Sequence, residues 1–158
     1  MQGYPFKNNY LTIRGMRYHY LDEGQGEPLV MLHGNPTWSF YFRRLVENFR
    51  STHRVIVPDH MGCGLSEKPG AEQYDFRLQS RIDDLNTLLD HLNLDQPVTL
   101  IVHDWGGMIG LGWAVDHLER VQRLVIMNTA GFFPPRGKAI PWRLRLLRRP
   151  NPLMDWAV

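Results

Sequence analysis

Apolar residues in this chain fall into short unbroken runs and longer amphipathic stretches, and the two kinds alternate. P-L-V-M-L (28–32), the apolar part of H-R-V-I-V-P-D (53–59) and V-T-L-I-V (98–102) are each too short for a helix and are bounded by turn residues. Such runs predict strands buried on both faces. V-Q-R-L-V-I-M-N (121–128) predicts a further strand, and Pro97 opens the third run. Residues 10–21 instead alternate around Gly15, which predicts a hairpin or two short strands, exposed on one face, at a sheet edge. Helices are expected over 38–49, 76–92 and about 107–117. In the second of these, Leu78, Ile82, Leu85, Leu88, Leu89 and Leu92 recur at helical spacing. Strand and helix joined by short connections call for a mostly parallel sheet with helices on both faces, because parallel neighbours need crossovers. No internal repeat or low-complexity tract interrupts the pattern.

Composition narrows the picture only a little. A chain of 158 residues with 43% hydrophobic content supplies one core rather than two. A net charge of +2 and the lack of basic-aromatic repeats argue against a nucleic-acid partner. Cys63 is the sole cysteine, so neither an internal disulfide nor a zinc-ligand spacing is available. No window has the length of a signal peptide's apolar core or of a membrane span, and the expected location is the cytoplasm. Charge is uneven, however. Six of the 18 Lys and Arg residues lie between Arg136 and Arg149 without an acid, interleaved with Trp142, Leu144, Leu146 and Leu147. That segment reads as a cap helix with a solvated face, or as a surface for an acidic partner or a membrane.

In an open parallel sheet, chemistry gathers at the carboxyl ends of the strands. Three strand ends here carry unusual residues: H-G-N-P (33–36), P-D-H-M-G-C-G-L-S (58–66) and H-D-W-G-G (103–107). The last has the form of a nucleophile elbow, in which a sharp strand-to-helix turn exposes one residue and small neighbours let the helix pass. Asp104 stands where such a turn places its nucleophile, and Gly106 follows two residues later. Val102 occupies the preceding position, where a small residue is usual. A helix N-cap is the competing reading of Asp104. His33 and His103 flank their motifs and are read as structural, as are His60 and Ser66 in a glycine turn. Trp38, Phe40 and Tyr41 are expected to pack, with Trp38 also a candidate pocket lining. Cys63 has no neighbouring base.

A carboxylate is a poor acyl nucleophile but displaces a leaving group from an sp³ carbon, giving an enzyme ester. The departing group needs neutral N–H donors, and the indole of Trp105 and the carboxamide of Asn35 are of that kind. The ordered set H-G-N-P-T-W-S-F-Y-F-R, P-D-x-x-G-x-G-x-S-x-K-P and V-x-H-D-W-G-G resembles the haloalkane dehalogenase family of α/β-hydrolases, over about residues 10–134. The resemblance implies an α/β-hydrolase fold with residues 1–129 as the N-terminal part of the core and 130–158 as the start of a helical cap. It implies that Asp104 is the nucleophile and that Asn35 and Trp105 bind the halide. Their backbone N–H groups would form the oxyanion hole. Hydrolytic dehalogenation of a small haloalkane, releasing halide and alcohol without cofactor or metal, is the first reading.

The triad of such an enzyme also needs an acid and a histidine later in the chain. After Asp104 the only histidine is His117, placed on the following helix and away from the strand ends, and Asn128 stands where one subfamily has its acid. Both members, with the last strands, are therefore expected beyond Val158, in a C-terminal remainder of the same enzyme. Three alternatives stay open. P-D-H-M-G-C-G-L-S-E-K-P resembles the branch whose members decarboxylate β-lactones to olefins. Epoxide hydrolases share the Asp-Trp pair but typically carry Phe in place of Asn35. An inactive fragment or binding module is the non-enzyme reading.

Overall fold

The structure, a computed structural model, describes residues 3–129. The chain runs β1 (Asn9–Ile13), β2 (Met16–Glu23), β3 (Pro28–Leu32), α1 (Arg43–Phe49), β4 (Arg54–Pro58), α2 (Leu78–Leu92), β5 (Val98–His103), α3 (Trp105–Asp116) and β6 (Val121–Met127). The strands form one sheet in the order β1-β2-β4-β3-β5-β6. β3 is parallel to both β4 and β5, and β5 is parallel to β6. The expected cap start and the basic segment from Arg136 to Arg149 lie outside the described residues.

The continuous apolar runs become the sheet's centre because both faces of β3, β4 and β5 are covered. On one face Val30, Leu32, Ile56, Leu100 and Val102 meet Leu85, Leu88 and Leu89 of α2 and Ile109 and Trp113 of α3. On the other, Leu29, Met31, Val55, Val57 and Ile101 meet Phe42 and Val46 around α1, together with Tyr4 and Phe6. A strand with neighbours on all sides has no solvent face to show, hence no alternation.

Four expectations need correction. The hairpin of β1 and β2 forms around Gly15, which has φ +80°. β2, however, also pairs antiparallel with β4, so most of its residues are buried and only β1 shows the exposed alternation. The segment 38–49 is not one helix: Ser39–Phe42 is a 3-10 turn that precedes α1. α2 starts at Leu78 because Phe76 takes φ +52°, which a right-handed helix cannot contain. α3 begins at Trp105, two residues before the expected start, since the strand-to-helix turn is spent on Asp104 alone.

β6 breaks the burial pattern of its parallel neighbours. Leu124, Val125 and Ile126 are 43–57% exposed, and no second neighbour pairs with this strand among the described residues. No helix among those residues is long and apolar enough to cross a membrane.

Candidate active site

β5 delivers Asp104 to the carboxyl end of the sheet, between β3 and β6. Its backbone sits at φ +50°, ψ −125°, outside the regions that a residue with a side chain prefers. Such a conformation persists only where the surroundings impose it. Here the next residue starts α3 and the previous one ends β5, so a single residue makes the turn. No side-chain capping bond runs from Asp104 to α3, which removes the N-cap reading. Its carboxylate points across the sheet instead, and Oδ1 accepts the backbone N–H of Asn35 at 2.9 Å.

Small residues surround the turn because nothing larger fits. A Cβ on Gly34 would collide with the Asp104 carboxyl, and one on Gly106 with the carbonyl of Leu32. Val102, where an elbow usually has a small residue, is fully buried, and a Cβ on Gly110 would meet its Cγ1 at 2.7 Å. The bulk tolerated on the strand is thus taken back on the helix. Sequence spacing around Asp104 shows the departure, and only the packing shows the compensation. Thr129, not singled out from sequence, donates from Oγ1 to the Asp104 carbonyl at 2.5 Å and holds the end of β6 against the elbow.

Asp104, Trp105, Met108, Asn128 and Thr129 line a cleft of about 310 Å³. Of the sequence-derived site residues, Asp104 and Trp105, the latter 39% exposed, share this cleft, and Asn35 reaches Asp104 through its backbone N–H while its side-chain Oδ1 accepts from the Cys63 thiol. Trp38 lies elsewhere. With Asn35, Met61, Cys63, Phe76 and Arg81 it lines a second cleft of about 670 Å³. Trp38 also stacks on Phe40, with ring centroids 5.5 Å apart. Arg81 was missed by sequence reasoning, although a cation among Leu78, Ile82 and Leu85 on the inward stripe of α2 was the available signal.

The histidines follow their structural reading. His33 is fully buried; its Nδ1 donates to the Gly34 carbonyl at 2.9 Å and its Nε2 accepts the His60 backbone N–H at 3.1 Å. His60 Nε2 donates to the carbonyl of His33 at 3.1 Å. Burial pushes both imidazoles below the ordinary histidine range, His60 well below, so both are neutral near pH 7. The pair ties the ends of β3 and β4 together. His103 stacks on Tyr41 at 4.6 Å. His117 lies at the far end of α3, stacked on Trp113, about 20 Å along the helix from Asp104 at 1.5 Å per residue. Cys63 is half-buried, and burial raises its thiol above the usual range.

The turn after β4 carries a second aspartate. Asp59 is fully buried and accepts backbone N–H groups from Ser39 (2.7 Å) and Leu65 (2.8 Å), and is joined to His19 Nδ1 at 2.9 Å. Burial alone would raise its carboxyl. The His19 bond and the two amides outweigh that and hold it below the ordinary value.

The alpha/beta hydrolase fold family matches residues 27–153. A cis-3-alkyl-4-alkyloxetan-2-one decarboxylase of Shewanella oneidensis is 56% identical over 144 residues, covering 91% of this chain and 45% of the relative. A haloalkane dehalogenase of Mycolicibacterium paratuberculosis is 41% identical, covering 89% and 48%. Among solved structures, the epoxide hydrolase CorEH superposes with a TM-score of 0.77 at 33% identity, covering 90% of this chain and 49% of that one. The chain spans about half the length of the curated relatives it matches. With a mostly parallel sheet, a one-residue elbow at Asp104 and a family match over most of its length, the chain belongs to the alpha/beta hydrolase fold family.

Proposed function

We propose that the enzyme to which this chain belongs decarboxylates β-lactones (oxetan-2-ones) bearing two alkyl groups. The observation that carries the reading is the 56% identity to a decarboxylase of that class, against 41% to a dehalogenase. Hydrolytic dehalogenation, the first reading of the sequence, becomes the second. Both use an aspartate nucleophile at sp³ carbon, so Asp104 keeps the same role in each.

The chemistry closes without water. An Asp104 carboxylate oxygen attacks ring carbon C4, the bond from C4 to the ring oxygen breaks, and the ring opens to an Asp104 alkyl ester with a free carboxylate. N–H donors at Asn35 and Trp105 receive the charge developing on the departing oxygen. The bond between C3 and the carboxylate carbon then breaks, its electron pair forms the C3=C4 double bond, and the ester oxygen leaves C4. Carbon dioxide and an alkene depart, and the Asp104 carboxylate is restored. Attack inverts C4, and departure of the two groups from opposite faces converts a cis lactone into a cis alkene.

The test supplies the full-length protein with cis-3,4-dialkyl oxetan-2-ones and, separately, 1-bromoalkanes, beside an Asp104→Ala variant. Alkene from lactone that disappears in the variant supports the reading. Bromide release without alkene formation replaces it with dehalogenation.

A further inference from the structure

The larger cleft has no part in the chemistry above, and its position is informative. Asp104 ends β5, which lies between β3 and β6 in the sheet. The 310 Å³ cleft opens on the β6 side, at Asn128 and Thr129. The 670 Å³ cleft opens on the β3 and β4 side and begins at Asn35, whose backbone N–H holds the Asp104 carboxylate. The two hollows thus lie on opposite sides of Asp104 in strand order, the larger one linked to it through Asn35.

From its lining we infer that the larger cleft is the subsite for one of the two alkyl arms of the substrate, the second arm leaving toward β6. The inference rests on the lactone reading. Pro36, Trp38, Met61 and Phe76 present an apolar wall, and the volume falls within the range of sites that enclose small molecules. The one charged residue, Arg81, is 8% exposed and has no carboxylate within ion-pair distance among the described residues. Its guanidinium instead donates to the Met61 carbonyl at 3.2 Å and lies 5.7 Å from the Phe76 ring centre. Arg81 therefore braces the Met61 turn and the Phe76 ring from within the wall. Substituents on adjacent ring carbons need two diverging channels, whereas a 1-haloalkane needs one. The Cys63 thiol lies in the wall and donates to Asn35 Oδ1 at 3.6 Å, which places it where the arm would leave the reacting carbon.

Cys63 reports occupancy without any turnover. In the full-length protein, alkylation of this thiol by iodoacetamide, followed by peptide mass, should slow about tenfold or more in 1-dodecanol and stay unchanged in 1-butanol. Equal rates in both would overturn the inference, whether or not lactones are substrates. Turnover supplies the second arm. In Cys63→Phe, which fills the wall, the ratio of octyl- to dimethyl-oxetanone turnover should fall on the order of tenfold or more. Cys63→Ala, which loses the same contact to Asn35 but fills nothing, should show no such length dependence. Equal losses at every chain length in Cys63→Phe would overturn the subsite. Absence of lactone turnover in the unsubstituted protein would instead remove the reaction assignment, with the alkylation rates still deciding the cleft.

Discussion

Asp59 and Asp104 follow β4 and β5, the two strands that flank β3 in one sheet, yet their surroundings differ in burial, hydrogen bonding and backbone conformation. Asp59 is fully buried, and two backbone amides and His19 use its lone pairs. Its charge is fully spent on holding the Ser39 turn, the Leu65 turn and β2 together. Asp104 receives one amide, sits on strained backbone and faces a cleft. Strain at Asp104 has a purpose in this contrast, since it keeps a carboxylate from sinking into the cap of its own helix. Burial and saturation make one aspartate a strut, while partial exposure and a single amide leave the other carboxylate available for the nucleophilic role proposed above.

Substitutions at the two positions should separate those roles. Asp104→Ala is expected to cut turnover by about 10⁴-fold or more, with the thermal midpoint moving by no more than about 4 °C. Asp59→Ala should do the reverse. It leaves buried donors and His19 without their partner, and chemical denaturation should show a loss of about 3–5 kcal/mol. Gly110→Ala drives a Cβ into Val102 behind the elbow and should cost about 1–3 kcal/mol. Adding Val102→Ala should recover part of that cost, and a double-mutant cycle measures the coupling.

The smallest effect concerns pH. Folded His60 and His33 titrate below the ordinary histidine value of about 6.5 that applies in the unfolded chain. Between those values the unfolded state binds more protons. The stability that these residues contribute is therefore complete above about pH 6.5 and is lost as pH falls through the folded values. Asp59, also lowered, adds a further loss only in the carboxylate range, below about pH 4. Thermal midpoints taken from pH 8 to pH 5 should fall, and the slope should be shallower in His60→Gln.

Periodicity made the sheet legible because the doubly covered strands β3, β4 and β5 are apolar along most of their length. It misjudged β2, whose second neighbour comes from distant sequence, and the start of α3, which depends on how tightly one residue can turn. The elbow was readable from Asp104, Trp105 and Gly106. The reason that Val102 is tolerated was not, because the answer lies on Gly110, eight residues away and one layer over. Trp38, a candidate lining of the Asp104 pocket in the sequence, borders the other cleft instead, which forms only where the β3 and β4 turns are set beside Arg81. Charge on an inward helical stripe is the kind of local inconsistency that marks such a place, and Arg81 carried it.

Under the proposed function, Asp104 opens a lactone and is restored without water. A single turnover of cis-3,4-dialkyl oxetan-2-one by excess full-length protein in H₂¹⁸O, with mass analysis of the product and of the peptide containing Asp104, tests it most directly. A cis alkene and no ¹⁸O in that peptide are the expected outcome. A hydroxy acid product with ¹⁸O in the Asp104 carboxylate would contradict it and establish hydrolysis of the ester instead.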